Sequence, residues 1–368
     1  MMDIRLFSEM LAIDSTSGRE RELADFLSHR LLTEHNKVER FDVQTMSADV
    51  PEGCDIPQNL LFSWGEPKVV FCTHLDTVPP YISPVFEDDK VCGRGTCDAK
   101  GQIFAMWEAC KALEAKGYDG FGLLLLAGEE TGSYGAKTFR EQHPGADWVI
   151  VGEPTDNCMA SAAKGTKSFE VTFEGHAFHS GYPQYGVSAV ELFNDFVNVL
   201  RSIRFPLDEV LGETTWNIGK LSSDNPQNIL SDRLKCRVYF RTTFESDEMV
   251  CNVMKNMAGE EARLRFGRPR AQDGSDVVAK DVAPWQRAMS VVALGGDTPS
   301  KYEVFDGFES KPVAFGSDAP QLTNFKHKIL CGPGSILVAH RPEEHVFLDD
   351  LEAAKENYIA IFETITKK

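Results

Sequence analysis

Four short stretches, far apart in the chain, each deliver an acid or a histidine at the end of an apolar run. They are Val69-Val70-Phe71-Cys72-Thr73-His74-Leu75-Asp76, Leu123-Leu124-Leu125-Leu126-Ala127-Gly128-Glu129-Glu130, Trp148-Val149-Ile150-Val151-Gly152-Glu153 and Ser335-Ile336-Leu337-Val338-Ala339-His340. With Asp98 in a glycine-rich turn they supply two histidines and several carboxylates, enough for a two-metal hydrolytic centre. His74 and Asp76 are two apart, so an extended backbone points both side chains the same way. A metal-bound imidazole commonly gives its second N–H to such a carboxylate. Glu129 and Glu130 repel each other directly after four leucines, which calls for a cation. Being adjacent, they diverge, so one can ligate metal while the other faces a substrate water. Each pattern alone also suits a surface histidine or a solvated acid pair; the signal is their joint occurrence. Gly93-Arg94-Gly95 lacks the continuation of a phosphate-binding loop, and no Gly-x-Ser-x-Gly elbow is present.

Apolar runs of this length, bounded by turn signals, read as buried strands, and α/β sheets bind ligands beyond the carboxyl ends of their strands. Helices are expected over 4–34, with Ser17 as cap and Glu20 as its capping-box partner, over about 102–116, and over 132–142. The middle one places Ile103, Met106, Trp107, Cys110 and Leu113 on one face and stops at Gly117. Strands alternating with helices predict an α/β domain with a mostly parallel sheet flanked by helices. After about residue 160 the texture changes. Segments 167–175, 215–221 and 233–241 alternate apolar and polar, with helices expected at 187–203 and near 246–261. That β-α-β-β-α order predicts an inserted α+β two-layer domain. The expected division is 1–162 for the first part of the catalytic domain, 163–276 for the insertion and 277–368 for the second part. An insertion leaves both flanking pieces in one catalytic unit, so His340 can meet His74.

The 368 residues, 42% hydrophobic with 24 Phe, can fill about two cores. A net charge of −18 opposes non-specific binding to nucleic acid or anionic membrane. No apolar stretch approaches the ~20 residues that span a bilayer, and the first ten residues lack the build of a signal peptide. Nine scattered cysteines predict reduced thiols in a cytoplasmic protein. Cys92 and Cys97 lie near the proposed site, but no second cysteine pair completes a tetrahedral set.

Taken together these motifs resemble the M20 family of co-catalytic zinc peptidases and amidohydrolases over nearly the whole length. Thr73-His74-Leu75-Asp76-Thr77-Val78-Pro79 resembles its first motif, and Gly93-Arg94-Gly95 through Asp98-Ala99-Lys100-Gly101 its second. Glu129-Glu130-Thr131-Gly132-Ser133, Gly152-Glu153-Pro154-Thr155 and Gly332-Pro333-Gly334 with Ala339-His340 and Glu343-Glu344 resemble the rest. The resemblance implies two Zn2+ ions, with Co2+ or Mn2+ as substitutes. Asp98 would bridge them, His74 and Glu153 would complete one site, and Glu130 and His340 the other. His345, also nearby, is set aside as a surface histidine. Asp76 would orient His74, and Glu129 would be general base and proton shuttle.

The inserted segment resembles the family's lid, implying a homodimer through this domain. Gly175-His176-Ala177-Phe178-His179-Ser180-Gly181 matches a lid motif that makes His179 an oxyanion donor in trans, with His176 structural or exposed. Asn228 and Arg241 fall where the family holds a substrate carboxylate, for which the planar arginine fork is suited. Cys97 before the bridging Asp, Tyr239-Phe240 before Arg241, and the loop Phe315-Gly316-Ser317-Asp318-Ala319-Pro320 depart from or vary on the pattern. The Gly-Pro-Gly and Ala-His-x-Pro-x-Glu runs are most similar to acetylornithine deacetylases and succinyl-diaminopimelate desuccinylases. The expected activity is removal of a small acyl group from an N-acyl amino acid, N-acetylornithine in arginine biosynthesis first. N-acetylcitrulline and N-succinyl-amino acids are alternatives, as is dipeptidase or carboxypeptidase action. A non-catalytic binding protein is the reading from another class.

Overall fold

The computed structural model describes residues 3–44, 53–257 and 289–367, in two compact units. The first comprises Met1–Ala162, Lys301–Val313 and Ser317–Lys368; the second comprises Ala163–Ser300 with Ala314–Gly316.

The first unit is built on a six-stranded sheet in the order Lys37–Asp42, Gln58–Trp64, Phe121–Leu126, Val69–His74, Trp148–Val151, His327–Leu330. The first two strands run antiparallel to their neighbours; the other pairings are parallel. Strands Val69–His74 and Phe121–Leu126 are buried throughout, as expected of a sheet covered on both faces. Register sets His74 opposite Leu126, so those two strands end level, and Cys72 opposite Val151, so the third strand ends two residues short of them. His74 closes one, Glu129-Glu130 follow the second and Glu153 follows the third.

Three expectations are corrected. Residues 4–34 form two helices, Arg5–Leu11 and Glu20–Arg30, and Ser17 caps neither. Its hydroxyl donates instead to Asp76 Oδ2 at 2.9 Å. Helix Lys100–Ala115 is buried all round from Lys100 to Cys110, because it is packed between the sheet and the C-terminal helix Leu348–Thr366. Ser335–Val338 is a turn, not a strand: Val338 N–H donates back to the Ser335 carbonyl, and Leu337 is 75% exposed. The strand that serves the sheet there is His327–Leu330, beside Trp148–Val151.

The second unit is a four-stranded antiparallel sheet, ordered Thr215–Ser222, Arg233–Thr242, Gly165–Glu174, Met289–Gly295. Leu234, Cys236, Val238 and Phe240 alternate inward onto Leu192, Phe196 and Leu200 of helix Ala189–Ser202 and Val250 and Met254 of helix Asp247–Met257. This is the two-layer α+β arrangement that alternation predicts. The expected 276/277 boundary and the end of the helix expected to 261 lie outside the described residues. Strand Met289–Gly295, assigned by sequence to the catalytic domain, pairs with Gly165–Glu174 in the inserted sheet. Among the described residues no helix is long and apolar enough to cross a membrane.

Candidate metal centre

In the first unit, four of the five predicted ligands, His74, Asp98, Glu130 and His340, lie against one another. His74 Nε2 lies 3.0 Å from Asp98 Oδ1. His340 Nε2 lies 3.3 Å from the other oxygen, Asp98 Oδ2, and 3.0 Å from Glu130 Oε1. One carboxylate therefore presents a separate oxygen to each histidine, as a bridge between two ions requires. His74, Asp98 and Glu130 each offer a ligand atom, all within 4.8 Å of one another.

Asp98 comes from the Gly93–Asp98 loop, which turns into helix Lys100–Ala115. Gly101 lets the two pack: a Cβ there would lie 2.2 Å from the Thr96 carbonyl oxygen. His340 sits in a turn at φ 62°, a left-handed conformation that costs a non-glycine residue about 1–2 kcal/mol. Such an outlier is affordable where surrounding structure enforces it, as at a ligand position.

Asp76 has a wider role than its spacing suggests. His74 Nδ1 lies 2.9 Å from the Asp76 carbonyl oxygen and 3.5 Å from its Oδ1, so the main chain is the nearer partner. The carboxylate accepts the N–H groups of Glu129 at 3.0 Å and Glu130 at 3.1 Å. It thereby fixes the peptide that carries both acids.

Electrostatics make the cluster cation-seeking. Burial, then the Asp98 charge, push Glu153 and Glu130 above the ordinary carboxylate range. Burial, then Glu153, do the same to Glu129. Burial also works against ionised Asp98, but hydrogen bonds from His340 and His74 outweigh it and hold that carboxyl low. The same contacts, Asp98 first and Glu130 second, raise His340 to about 10. Acids that can keep their charge only beside protonated imidazoles are acids that a divalent ion would satisfy better. The donor set of imidazole nitrogen and carboxylate oxygen suits zinc, with cobalt and manganese compatible. Thiols take no part: Cys97 Sγ is directed at the Ser335 carbonyl oxygen at 3.5 Å, and Cys92 Sγ at Glu87.

The remaining predicted residues lie in the second unit. His179 is exposed, and its Nδ1 accepts the Gly181 N–H at 3.0 Å. A neutral ring accepting at Nδ1 carries its proton on Nε2 and can donate there. Asn228 adjoins it, since the Ser180 N–H donates to the Asn228 carbonyl at 2.9 Å. Arg241 does not: it sits at the far end of strand Arg233–Thr242, roughly 25 Å along the strand by its ~3.3 Å rise per residue. Its guanidinium stacks over Tyr239 at 5.0 Å. Asn228 and Arg241 thus do not converge within this unit.

Residues 70–364 match the family model described as peptidase family M20/M25/M40. The chain belongs to this family. A peptidase M20 domain-containing protein of Schizosaccharomyces pombe is 33% identical over 365 residues, covering 96% of this chain and 82% of that protein. A probable carboxypeptidase of Aspergillus terreus is 30% identical, covering 96% and 84%. A tripeptidase from Staphylococcus aureus shares the fold, with a TM-score of 0.76 at 19% identity over 98% of this chain and 97% of that one. As an M20/M25/M40 family member, the chain is a hydrolase, and the His74–Asp98–Glu130 group is its candidate metal site.

Sequence reasoning gave two residues of this M20 centre too little. By pattern alone Ser17 fits a helix cap, and Glu344 the end of a motif. Glu344 is fully buried and accepts backbone N–H groups from the loop that carries Asp98. Its signal was positional: an acid four residues past a ligand histidine, in a segment with no helical or strand pattern.

Proposed function

We propose that this M20-family hydrolase is a two-metal exopeptidase of carboxypeptidase or dipeptidase type, cleaving the amide next to a free α-carboxylate. The observation that carries the two-metal part is Asp98, whose two oxygens face His74 and His340 separately. The peptide-bond preference is supported by the curated relatives, of which the one from Aspergillus terreus is named a probable carboxypeptidase. In this reading Asp98 would bridge two ions, with His74 and Glu153 holding one and Glu130 and His340 the other. The ions, when bound, supply carbonyl polarisation and a lowered pKa for water. Glu129 takes the proton from the attacking water and passes it to the departing amine, a task suited to a carboxyl raised by burial. Arg241 offers a bidentate partner for the substrate carboxylate, and Asn228 a polar contact beside His179.

Deacylation of N-acyl amino acids, N-acetylornithine foremost, is the second reading. It is favoured by the Gly332-Pro333-Gly334 and Ala339-His340-Arg341-Pro342-Glu343-Glu344 run. Zinc-loaded protein offered dipeptides, tripeptides, N-acetylornithine, N-acetylcitrulline and N-succinyl-amino acids separates the two. Release of amino acids from peptides at kcat/KM at least tenfold above any acylated amino acid supports the exopeptidase. The reverse ranking overturns it in favour of the deacylase, and hydrolysis of neither class overturns both.

A further inference from the structure

Behind Asp98 lies a buried acid that touches no predicted ligand side chain yet reaches two ligand-bearing segments. Glu344 Oε1 accepts the N–H groups of Gly95 at 2.9 Å, Cys97 at 3.1 Å and Asp98 at 3.2 Å. Its Oε2 pairs with the Arg94 guanidinium, which is itself 2% exposed. Arg94 also donates to the Arg341 carbonyl at 3.4 Å, and the Gly93 N–H donates to the Glu344 carbonyl at 2.9 Å. The pair therefore ties the loop carrying Asp98 to the turn carrying His340. Neither segment is helix or strand. The nearby ladder joins His345 to Cys92 and continues away from both ligands.

We propose that the Glu344–Arg94 pair is a positioning clip that sets the spacing of Asp98 and His340, and so governs metal binding at the Asp98–Glu130–His340 side. The inference rests on the two-metal reading above. The other side depends on it less, because His74 ends a strand and Glu153 follows one, both held by the central sheet. Glutamine cannot replace Glu344 silently. Its carboxamide has one acceptor oxygen and one donor NH2. If the oxygen meets the three N–H groups, the NH2 faces the Arg94 donors; if it is flipped, the NH2 faces the N–H groups. One buried side is left unpaired either way.

The test is a Co2+ titration of metal-stripped wild type, Glu344→Gln and Arg94→Lys, followed by visible absorption and equilibrium dialysis. Wild type should take two ions per chain. Glu344→Gln should bind one with near wild-type affinity and the second ~10–100-fold more weakly, the range for losing a group that orients metal ligands. Arg94→Lys, which keeps the charge but not the fork, should fall between. Two ions at wild-type affinities in Glu344→Gln overturn the clip. A wild type that does not bind two overturns the two-metal reading, and the clip with it. If Glu344→Gln is unstable, melting in chelator and in zinc decides: the clip predicts a smaller zinc-induced rise in Tm than wild type shows. A merely structural defect lowers both melting temperatures and leaves that rise unchanged, which also overturns the proposal.

Discussion

At the scale of single residues, the site separates side chains that hold charge from those that hold geometry. Glu129 belongs to the first group. Its peptide is anchored by Asp76, so truncating its side chain should spare the ligands. Glu129→Ala is expected to retain its metal and lose ~10²–10⁴-fold in kcat; metal analysis beside steady-state kinetics checks both halves, and full turnover would end the base assignment. Glu20 belongs with the groups behind the site. Burial first, and Asp76 second, raise its carboxyl from 4.5 to about 8. Between those values the folded chain binds more protons here than the unfolded one. Stability from this group is therefore complete below about 4.5 and lost as pH climbs through about 8. Glu20→Gln removes the titration. Urea unfolding in chelator should show the variant gaining on wild type across that window, and parallel pH profiles would contradict the assignment.

At the scale of elements, the strands that carry ligands were legible because burial on both faces writes them as unbroken apolar runs. Val69–His74, Phe121–Leu126 and Trp148–Val151 are the plain cases. Gln58–Trp64 escaped notice although it is buried throughout, because Gln58, Asn59 and Ser63 interrupt the apolar pattern. Those polar groups are satisfied locally. Asn59 donates to the Gly135 carbonyl at 2.9 Å and accepts the Ala127 N–H at 3.0 Å, pinning helix Tyr134–Gln142 to the strand end that precedes Glu129. Asn59→Ala leaves the buried Ala127 N–H without its acceptor and removes the second donor to the Gly135 carbonyl, and should lower the unfolding free energy by about 1–3 kcal/mol in denaturant titration. A loss under 1 kcal/mol would show that the clamp is not needed. Ser335–Val338 misled in the opposite sense. It is apolar enough for a strand, but its backbone closes a tight turn, and the Asp156 and Asn157 N–H groups take the Gly334 and Gly332 carbonyls just before it. His340 nevertheless lies against Glu130 and Asp98, carried by this turn and not by a strand end.

At the scale of the whole molecule, the alternating texture after residue 160 announced an insertion, and the second unit is the two-layer sheet that texture predicts. Its last strand, Met289–Gly295, is not legible as part of this sheet because the unbroken apolar run Val291-Val292-Ala293-Leu294 resembles the buried strands of the catalytic domain. If the chain forms a homodimer through this unit, as we propose, a role for His179 in trans has a direct test. Mixed dimers of Glu129→Ala and His179→Ala chains would contain one site with both groups intact if His179 acts across the dimer, and none if it acts within its own chain. Recovery of activity toward a quarter of wild type is expected on statistical mixing; verified mixed dimers without recovery would contradict the role. Substrate choice was the least legible property, since pockets for an acyl group or a side chain are set by shape and not by motif. The central claim is that segments from residues 74 to 340 converge on a pair of divalent ions, and anomalous diffraction at the zinc edge from zinc-soaked crystals tests it most directly. Two peaks, about 3.5–4 Å apart with Asp98 between them, are predicted. A single peak away from Asp98, or none at full zinc occupancy elsewhere in the crystal, would contradict it.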